Sequence, residues 1–193
     1  MADTNALIGA YLTRDGNCRR VGWDDIRRWT PADGFLWVHL NQSHPDAKAW
    51  LEREADLDPL LVEALIEEAT RPRSLKVGDS LLVILRGVTL NPGADPEDMV
   101  SVRLWLDAYR VITVRDEKLL AIQDIRDQCE AGRGPASSGA FLAALADRLI
   151  DRMAPVLDDL AERLDDIEEE ILTAPSSEVR TKLGGRQPSR RRS

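Results

Sequence analysis

Short apolar stretches bounded by turn residues occupy the chain between Asn5 and Asp116 and predict strands. The stretch GFLWVHLNQ, from Gly34 to Gln42, is apolar and aromatic at its centre, which is typical of a buried strand. NALIGAYLT, followed by the turn-forming RDGNCRR, predicts a strand and a hairpin. A Gly78-Asp79 turn predicts a second hairpin, and MVSVRLWLD with YRVITVRD predicts a third. Alternation in the third hairpin places four apolar residues on one face, namely Val100, Val102, Leu104 and Leu106.

Helix signals occur between and after these strands. WDDIRRW predicts a short amphipathic helix, and SHPD resembles a capping box with Ser43 as the N-cap of the next helix. Asp58 followed by Pro59 predicts another helix start, with LLVEALIEEAT as its body. EKLLAIQDIRDQCEAG predicts a helix that ends at Gly132, and GRGPASSG is then a linker.

A long helix is predicted from Phe141 onward. Its apolar positions recur at intervals of 3, 4 and 4, an 11-residue repeat that predicts a nearly straight helix or slight right-handed coiling. Pro155 is expected to kink or bend this helix, and Ala174-Pro175 to end it. The elements together predict an α/β fold with a mixed sheet of six or seven strands. The apolar positions are Leu142, Leu145, Leu149, Met153, Val156, Leu160, Leu164, Ile167 and Ile171.

The second half of this helix, LDDLAERLDDIEEEIL from Leu157 to Leu172, carries eight carboxylates and one arginine. Like charges at helical spacing cost about 0.2–0.5 kcal/mol per pair, so local stability does not explain this pattern. One interpretation is a solvated helix face. The other is loose attraction of hydrated cations, or of a basic partner, by Asp158, Asp159, Glu162, Asp165, Asp166 and Glu169. A tight metal cage is not predicted, because such cages combine ligands from several elements.

Composition limits the classes of protein to which this chain can belong. The 193 residues, 43% of them hydrophobic, suffice for one domain with a core and an appended element. The formal charge of −8 argues against a nucleic-acid-binding surface. Cys18 and Cys129, without CxxC spacing, indicate a reduced cytosolic protein and exclude a zinc ribbon or a disulfide scaffold. No signal peptide is predicted, and no apolar run approaches the ~20 residues of a spanning helix, so the chain is expected to be soluble.

Motifs for catalysis are absent from the sequence, and we predict no enzymatic activity. The chain lacks glycine-rich phosphate loops, GxSxG, HExxH and an EF-hand loop. Its two histidines lie in a predicted strand (His39) and at a predicted helix start (His44). Neither cysteine shows a paired histidine. NPGADPED has the acidity of a calcium loop but not its spacing, so an ordinary loop is expected.

Several segments occur in an order that is known from one family. They are WVHL, PLLVEALIEEATRPRSLKVGDSLLVILRGVTLNPGADPEDMVSVRLWLD, RVITVRD and LDDLAERLDDIEEEIL. In order and spacing, over roughly residues 5–180, they resemble the cytoplasmic domain of the CorA/ZntB family of divalent-metal transporters. NPGADPEDMVSVRLW resembles the zinc-transporting ZntB branch in particular.

The resemblance implies an α/β/α sandwich with a mixed, roughly seven-strand sheet, followed by a long protruding acidic helix. It implies a homopentamer with a funnel-shaped part on the cytoplasmic side of the bacterial inner membrane. Zinc, or else magnesium or cobalt, would be transported or weakly bound, with no tightly bound cofactor. In the family a stalk helix and two membrane helices follow. They are not found in this sequence, so this chain alone is expected to be soluble and unable to transport.

Two departures from the family pattern matter. In the magnesium-transporting branch, an Asp on the corresponding helix supplies half of an intersubunit regulatory magnesium site. Ala64 stands at that position here, which favours the ZntB-like branch. SSEVRTKL resembles the start of a second helix, but the basic end GGRQPSRRRS departs from the pattern and is expected to be disordered. A truncated gene, a frame shift and a shortened chain are all compatible with that end.

The predicted organisation is a sandwich domain over residues 1–135, the acidic helix over 136–175, and a helix start with a basic tail over 176–193. The chain is interpreted as the funnel domain of a transporter. The alternative is a stand-alone soluble metal-responsive or scaffold module. The apolar stripe over Leu160–Ile171 is expected to be exposed, to fray or to self-associate, because the helices that would cover it are missing.

Overall fold

The computed structural model describes residues 5–67, 71–89 and 99–173, which form one seven-strand sheet and five helices. The strands are β1 (Leu7–Arg14), β2 (Asn17–Arg20), β3 (Phe35–Asn41), β4 (Arg73–Val77), β5 (Ser80–Val88), β6 (Met99–Leu106) and β7 (Arg110–Arg115). The helices are α1 (Trp23–Arg28), α2 (Pro45–Arg53), α3 (Pro59–Ile66), α4 (Leu120–Glu130) and α5 (Ser138–Thr173). The predicted α/β fold with a sheet of about seven strands is confirmed.

The sheet is mixed because its central pair of strands is parallel. Its order is β2-β1-β3-β7-β6-β5-β4, with β3 parallel to β7 and the other neighbours antiparallel. A parallel neighbour requires a crossover, which runs here through α2, α3 and the strands β4 to β6. The parallel pair aligns Trp37 with Val111 and His39 with Thr113.

One face of the sheet is covered by α1, α2 and α3. Trp50 and Leu51 of α2 and Leu65 of α3 are buried in this first core. The Trp50 ring lies 5.5 Å from the Trp23 ring of α1, measured between centroids. Each such fully buried side chain contributes about 1.5–3 kcal/mol.

The opposite face is covered by α4 and the first part of α5. Phe141, Leu145 and Leu149 of α5 are buried in this second core, and the Phe141 ring lies 4.9 Å from the Trp37 ring. A Cβ on Gly87 of β5 would come within 2.5 Å of a Leu149 methyl carbon, so a larger residue there would require the Leu149 side chain to shift. The four alternating residues of β6 all belong to this core, as predicted: Val100, Val102, Leu104 and Leu106.

Two predicted helix starts and one predicted helix end are wrong. The helix predicted over LLVEALIEEAT ends at Ile66, because Glu67 already has an extended backbone. Asp58 caps α3 as expected, because its carboxylate accepts a hydrogen bond of 2.8 Å from the Leu60 N–H. The N-cap of α2 is His44, not Ser43, and the Ser43 hydroxyl donates instead to the Asp116 carboxylate at 2.7 Å. That long-range partner could not be read from local sequence.

The long helix begins earlier than predicted, at Ser138 instead of Phe141. The Ser137 hydroxyl accepts a hydrogen bond of 3.2 Å from the Ala140 N–H, which satisfies one of the free donors of the first turn. The helix is continuous through Pro155. The described chain divides into two compact units, one ending at Met153 and one starting at Ala154.

Three predicted features lie outside the described residues. They are the NPGADPED loop, the end of LLVEALIEEAT after Glu67, and everything after Thr173, including the second helix and the basic tail. The predicted domain boundaries at residues 135 and 175 stay predictions.

Candidate functional site

The six candidate carboxylates all lie on the part of α5 that follows Pro155, and all six are exposed: Asp158, Asp159, Glu162, Asp165, Asp166 and Glu169. On a helix, side chains three or four positions apart have Cβ atoms about 5–6 Å apart, so these carboxylates form a nearly continuous band. The spacing is shorter than the ~8 Å screening length at physiological salt, so the fields of neighbouring carboxylates add.

One cation lies within this band. Arg163 approaches Asp159 at 3.9 Å between a guanidinium nitrogen and a carboxylate oxygen, and both side chains are at least half exposed. An exposed pair of this kind contributes about 0–1 kcal/mol and offsets one charge of the band. The band therefore remains strongly negative.

The arrangement does not form a metal cage. Within residues 5–67, 71–89 and 99–173, no three His, Cys, Asp or Glu side chains are grouped so that they could hold a metal ion. Exposed carboxylates in a row can still attract cations that keep their water shells, which requires charge density but no ligand geometry. The role of the six residues stays a prediction.

The same part of α5 also presents apolar side chains to solvent. Leu164 is 61% exposed, Ile167 40% and Ile171 45%, while Leu160 is half-buried. The predicted exposure of this stretch is found for these three side chains. An amphipathic helix whose apolar residues are uncovered is typical of a surface that meets a partner.

A buried polar network lies in the centre of the sheet, where the sequence suggested no function. The His39 ring receives a hydrogen bond of 3.1 Å from Arg115 Nε at its Nε2, so its Nδ1 carries the proton and donates to Thr113 Oγ1 at 2.8 Å. Trp37 Nε1 also donates to Thr113 Oγ1, at 2.9 Å. Both ring nitrogens are therefore occupied, which leaves His39 no lone pair for a metal.

Burial governs the charge of this histidine. Complete burial, followed by the positive charges of Arg115 and Arg126, lowers the pKa of His39 to about 3. The ring is neutral at physiological pH and serves to join β3 to β7. The sequence could not reveal this network, since its members are brought together only by the parallel pairing of the two strands.

The two cysteines, far apart in sequence, are neighbours in the fold. Cys18 lies on β2 and Cys129 in the last turn of α4, and both are free and buried. A Cβ on Gly134 would lie 2.6 Å from the Cys18 sulfur and 2.7 Å from the Cys129 sulfur, so both sulfurs approach the same backbone position.

The fold and the acidic, amphipathic helix together define a domain of a known class of transporter. A family model described as CorA-like Mg2+ transporter protein matches residues 32–188. The chain therefore belongs to the CorA-like transporter family, as the order of its sequence motifs indicated.

Individual relatives narrow this assignment. The chain is 44% identical over 171 residues to the divalent cation transporter CmaX of Pseudomonas aeruginosa, an alignment that covers 86% of this chain and 51% of CmaX. It is 31% identical over 169 residues to the zinc transport protein ZntB of Yersinia enterocolitica, covering 88% of this chain and 51% of ZntB. The chain thus spans about half the length of the curated relatives it matches.

Solved structures agree with the sequence comparison. Full-length CmaX superposes with a TM-score of 0.79 at 41% identity, covering 91% of this chain and 55% of CmaX. The ZntB cytoplasmic domain from Vibrio parahaemolyticus superposes with a TM-score of 0.73 at 25% identity, covering 84% of this chain and 65% of that one. The predicted family and sandwich fold are confirmed. In the described part of the chain, no helix has the length and apolar character needed to cross a membrane.

Proposed function

We propose that this chain is the cytoplasmic funnel domain of a divalent-cation transporter, without catalytic activity and unable to transport alone. The observation that carries the proposal is the similarity to CmaX, a divalent cation transporter, across nearly all of the described fold. Zinc is the preferred candidate ion, with magnesium or cobalt as the others, because ZntB relatives are zinc transport proteins.

Ala64 supports a ZntB-like rather than a magnesium-gated protein. It lies on α3, half-buried against the first core, and its methyl group has no atom that could bind a cation. A regulatory magnesium site of the kind described for the magnesium branch therefore has no ligand at this position.

The acidic band would concentrate cations near the entrance of the pore. A negative potential of one kT per unit charge enriches a divalent cation about sevenfold and a monovalent one less than threefold, since enrichment grows exponentially with ion charge. The band thus favours divalent ions without binding any of them tightly. Fast release is useful in a funnel, because a tightly held ion would not move on to the pore.

The exposed apolar side of α5 would take part in assembly. Leu164, Ile167 and Ile171 are exposed in the single chain, and burying each in a helix bundle would contribute about 1–2 kcal/mol. We propose that in the homopentamer these residues pack against further helices of the complete transporter, at the level where the funnel meets the membrane.

A chimera tests the transporter role directly. This chain replaces the corresponding half of CmaX, and zinc entry into proteoliposomes is measured with an encapsulated fluorescent zinc indicator. We expect zinc uptake well above that of the CmaX membrane half alone. A chimera that forms a folded oligomer but gives no uptake would contradict the proposal and favour a stand-alone metal-responsive or scaffold module.

A charge variant tests the acidic band separately. Asp165→Asn, Asp166→Asn and Glu169→Gln together remove three charges while keeping side-chain size, and zinc accumulation by the purified chain is measured by equilibrium dialysis. We expect accumulation to fall at low salt and the difference from wild type to vanish near 0.5 M salt, where the screening length is about 4 Å.

The matched control removes three exposed charges from the other unit, through Asp46→Asn, Glu63→Gln and Asp79→Asn. It changes the net charge equally but leaves the acidic band intact, so zinc accumulation should fall less than in the band variant. Equal losses in both variants would show that net charge alone matters. Salt-resistant binding lost only in the band variant would instead reveal a coordinated site.

A further inference from the structure

Two thiols meet at one point near the edge of the sheet. Cys18 lies on β2 opposite Thr13 of β1, and its N–H donates to the Gly132 carbonyl at 3.2 Å. That bond holds β2 against the turn that follows α4. Cys129 lies in the last turn of α4 itself. Gly134 completes the site, because any larger residue there would overlap both sulfur atoms.

The surroundings divide the two cysteines into different roles. The hydrogen bond from the Cys129 thiol, with further ones from the Thr13 hydroxyl and the Gly134 N–H, lowers the pKa of Cys18 to about 7 despite burial. The same interaction with Cys18, together with burial, raises the pKa of Cys129. The asymmetry of these contacts favours Cys18 as the cysteine that ionises first and acts as the nucleophile, with Cys129 keeping its proton.

We propose that Cys18 and Cys129 form a reactive dithiol site that a small hydroperoxide, such as hydrogen peroxide, oxidises to an intramolecular disulfide. The Cys18 thiolate attacks one peroxide oxygen, so that an S–O bond forms, the O–O bond breaks and hydroxide leaves to be protonated by solvent. The Cys129 sulfur then attacks the Cys18 sulfur. The S–S bond forms, the S–O bond breaks, and the departing hydroxide leaves as water with the Cys129 proton. Two electrons pass from the two sulfurs to the peroxide.

Burial and position favour this chemistry over other oxidations. Cys18 is 8% exposed and Cys129 2%, which admits a small peroxide more readily than a bulky disulfide. β2 is a four-residue strand at the sheet edge, so Cys18 can shift to the sulfur–sulfur distance of about 2.05 Å that a disulfide requires. The bond would fasten β2 to the end of α4 and close a loop of most of the first unit.

The test treats the purified 193-residue chain with a slight excess of hydrogen peroxide at pH 7. We expect the intact mass to fall by about 2 Da, the mass of two hydrogens, and a peptide map without reductant to contain Cys18 linked to Cys129. Dithiothreitol should reverse the change. The oxidised chain should melt about 5–15 °C higher than the reduced chain, because the bond closes a long loop.

Variants assign the order of events. Cys129→Ser should stop at a Cys18 sulfenic acid that dimedone captures, while Cys18→Ser should not react at the same peroxide concentration. Thr13→Val, in a chain that keeps both cysteines, removes one hydrogen bond to the Cys18 sulfur. The rate of disulfide formation at pH 7 should then be up to about tenfold lower than in the wild type. Two free thiols after peroxide treatment of the folded chain, disulfide-linked dimers, or Cys129 reacting first would each overturn the proposal.

Discussion

The two halves of α5 carry the same apolar spacing but have different surroundings. In the first half, Phe141 and Leu145 are fully buried and Leu149 is 6% exposed. In the second half, Leu164 is 61% exposed and Ile167 40%. The spacing specifies which side of a helix is apolar, but burial requires a second surface. The first half has the sheet and α4 beside it, whereas the second half carries the acidic band together with an uncovered apolar side.

Hydrogen exchange should give the largest contrast between the halves. Amides of residues 141–149 should open only with the whole domain, while those of 160–171 open by local fraying. We expect opening free energies to differ by about 3 kcal/mol or more, a protection ratio above about 100-fold. The measurement is exchange followed by mass spectrometry on a preparation shown to be monomeric. Equal protection of the two segments in a monomer would contradict the conclusion that only the first half of α5 is covered.

Leucine truncation should separate the halves in stability. Leu145→Ala should lower the free energy of unfolding by about 2–5 kcal/mol, because it opens a cavity in the second core. Leu164→Ala, at an exposed position with the same spacing, should change it by no more than about 0.5 kcal/mol. Urea denaturation followed by circular dichroism compares the two variants. A large loss from Leu164→Ala would show that the second half is covered in solution.

The pH dependence of stability should test whether water is excluded from the core that packs against the first half of α5. The unfolded chain takes up a proton at His39 near its ordinary pKa of 6.5, whereas the folded pKa is about 3. The unfolded state therefore binds more protons between pH 6.5 and pH 3, so stability is full above this window and falls as pH decreases through it. The expected loss is about 1.4 kcal/mol per pH unit well inside the window.

The control for this pH dependence is His39→Gln, which keeps hydrogen-bonding groups but does not titrate. Its free energy of unfolding should fall less steeply from pH 6 to pH 4 than that of the wild type. The two slopes should differ by the contribution of about one proton, which is about 1.4 kcal/mol per pH unit. Identical slopes for the two proteins would mean that water reaches the His39 ring in the folded state.

Neutralising the acidic band should have the smallest effect, and its sign is opposite to that of the core variants. Replacing the six carboxylates by amides removes like-charge repulsion of about 0.2–0.5 kcal/mol per pair, so helicity by circular dichroism should rise slightly. Arg163→Gln, which removes the cation beside Asp159, should lower helicity instead. A fall in helicity for the amide variant would indicate that the carboxylates stabilise the band through contacts with another chain.

Local signals were sufficient for much of the fold. The apolar β3, the alternation of β6 and the Asp58 cap depend on neighbours in sequence, and the structure confirms all three. The order of the motifs along the chain was sufficient to identify the family. Local signals failed at α2, where the Ser43 hydroxyl bonds to Asp116 from a distant strand end and His44 takes the cap.

The sequence by itself determined the periodicity of each element, the negative charge of α5 and membership of the CorA-like family, because these depend on residue identity and spacing along the chain. Tertiary structure alone decided that His39 is kept neutral and that the thiols of Cys18 and Cys129 meet. Those outcomes depend on the parallel pairing of β3 with β7 and on the contact of β2 with the end of α4. Both arise from chain segments more than 70 residues apart, whose approach no local pattern encodes.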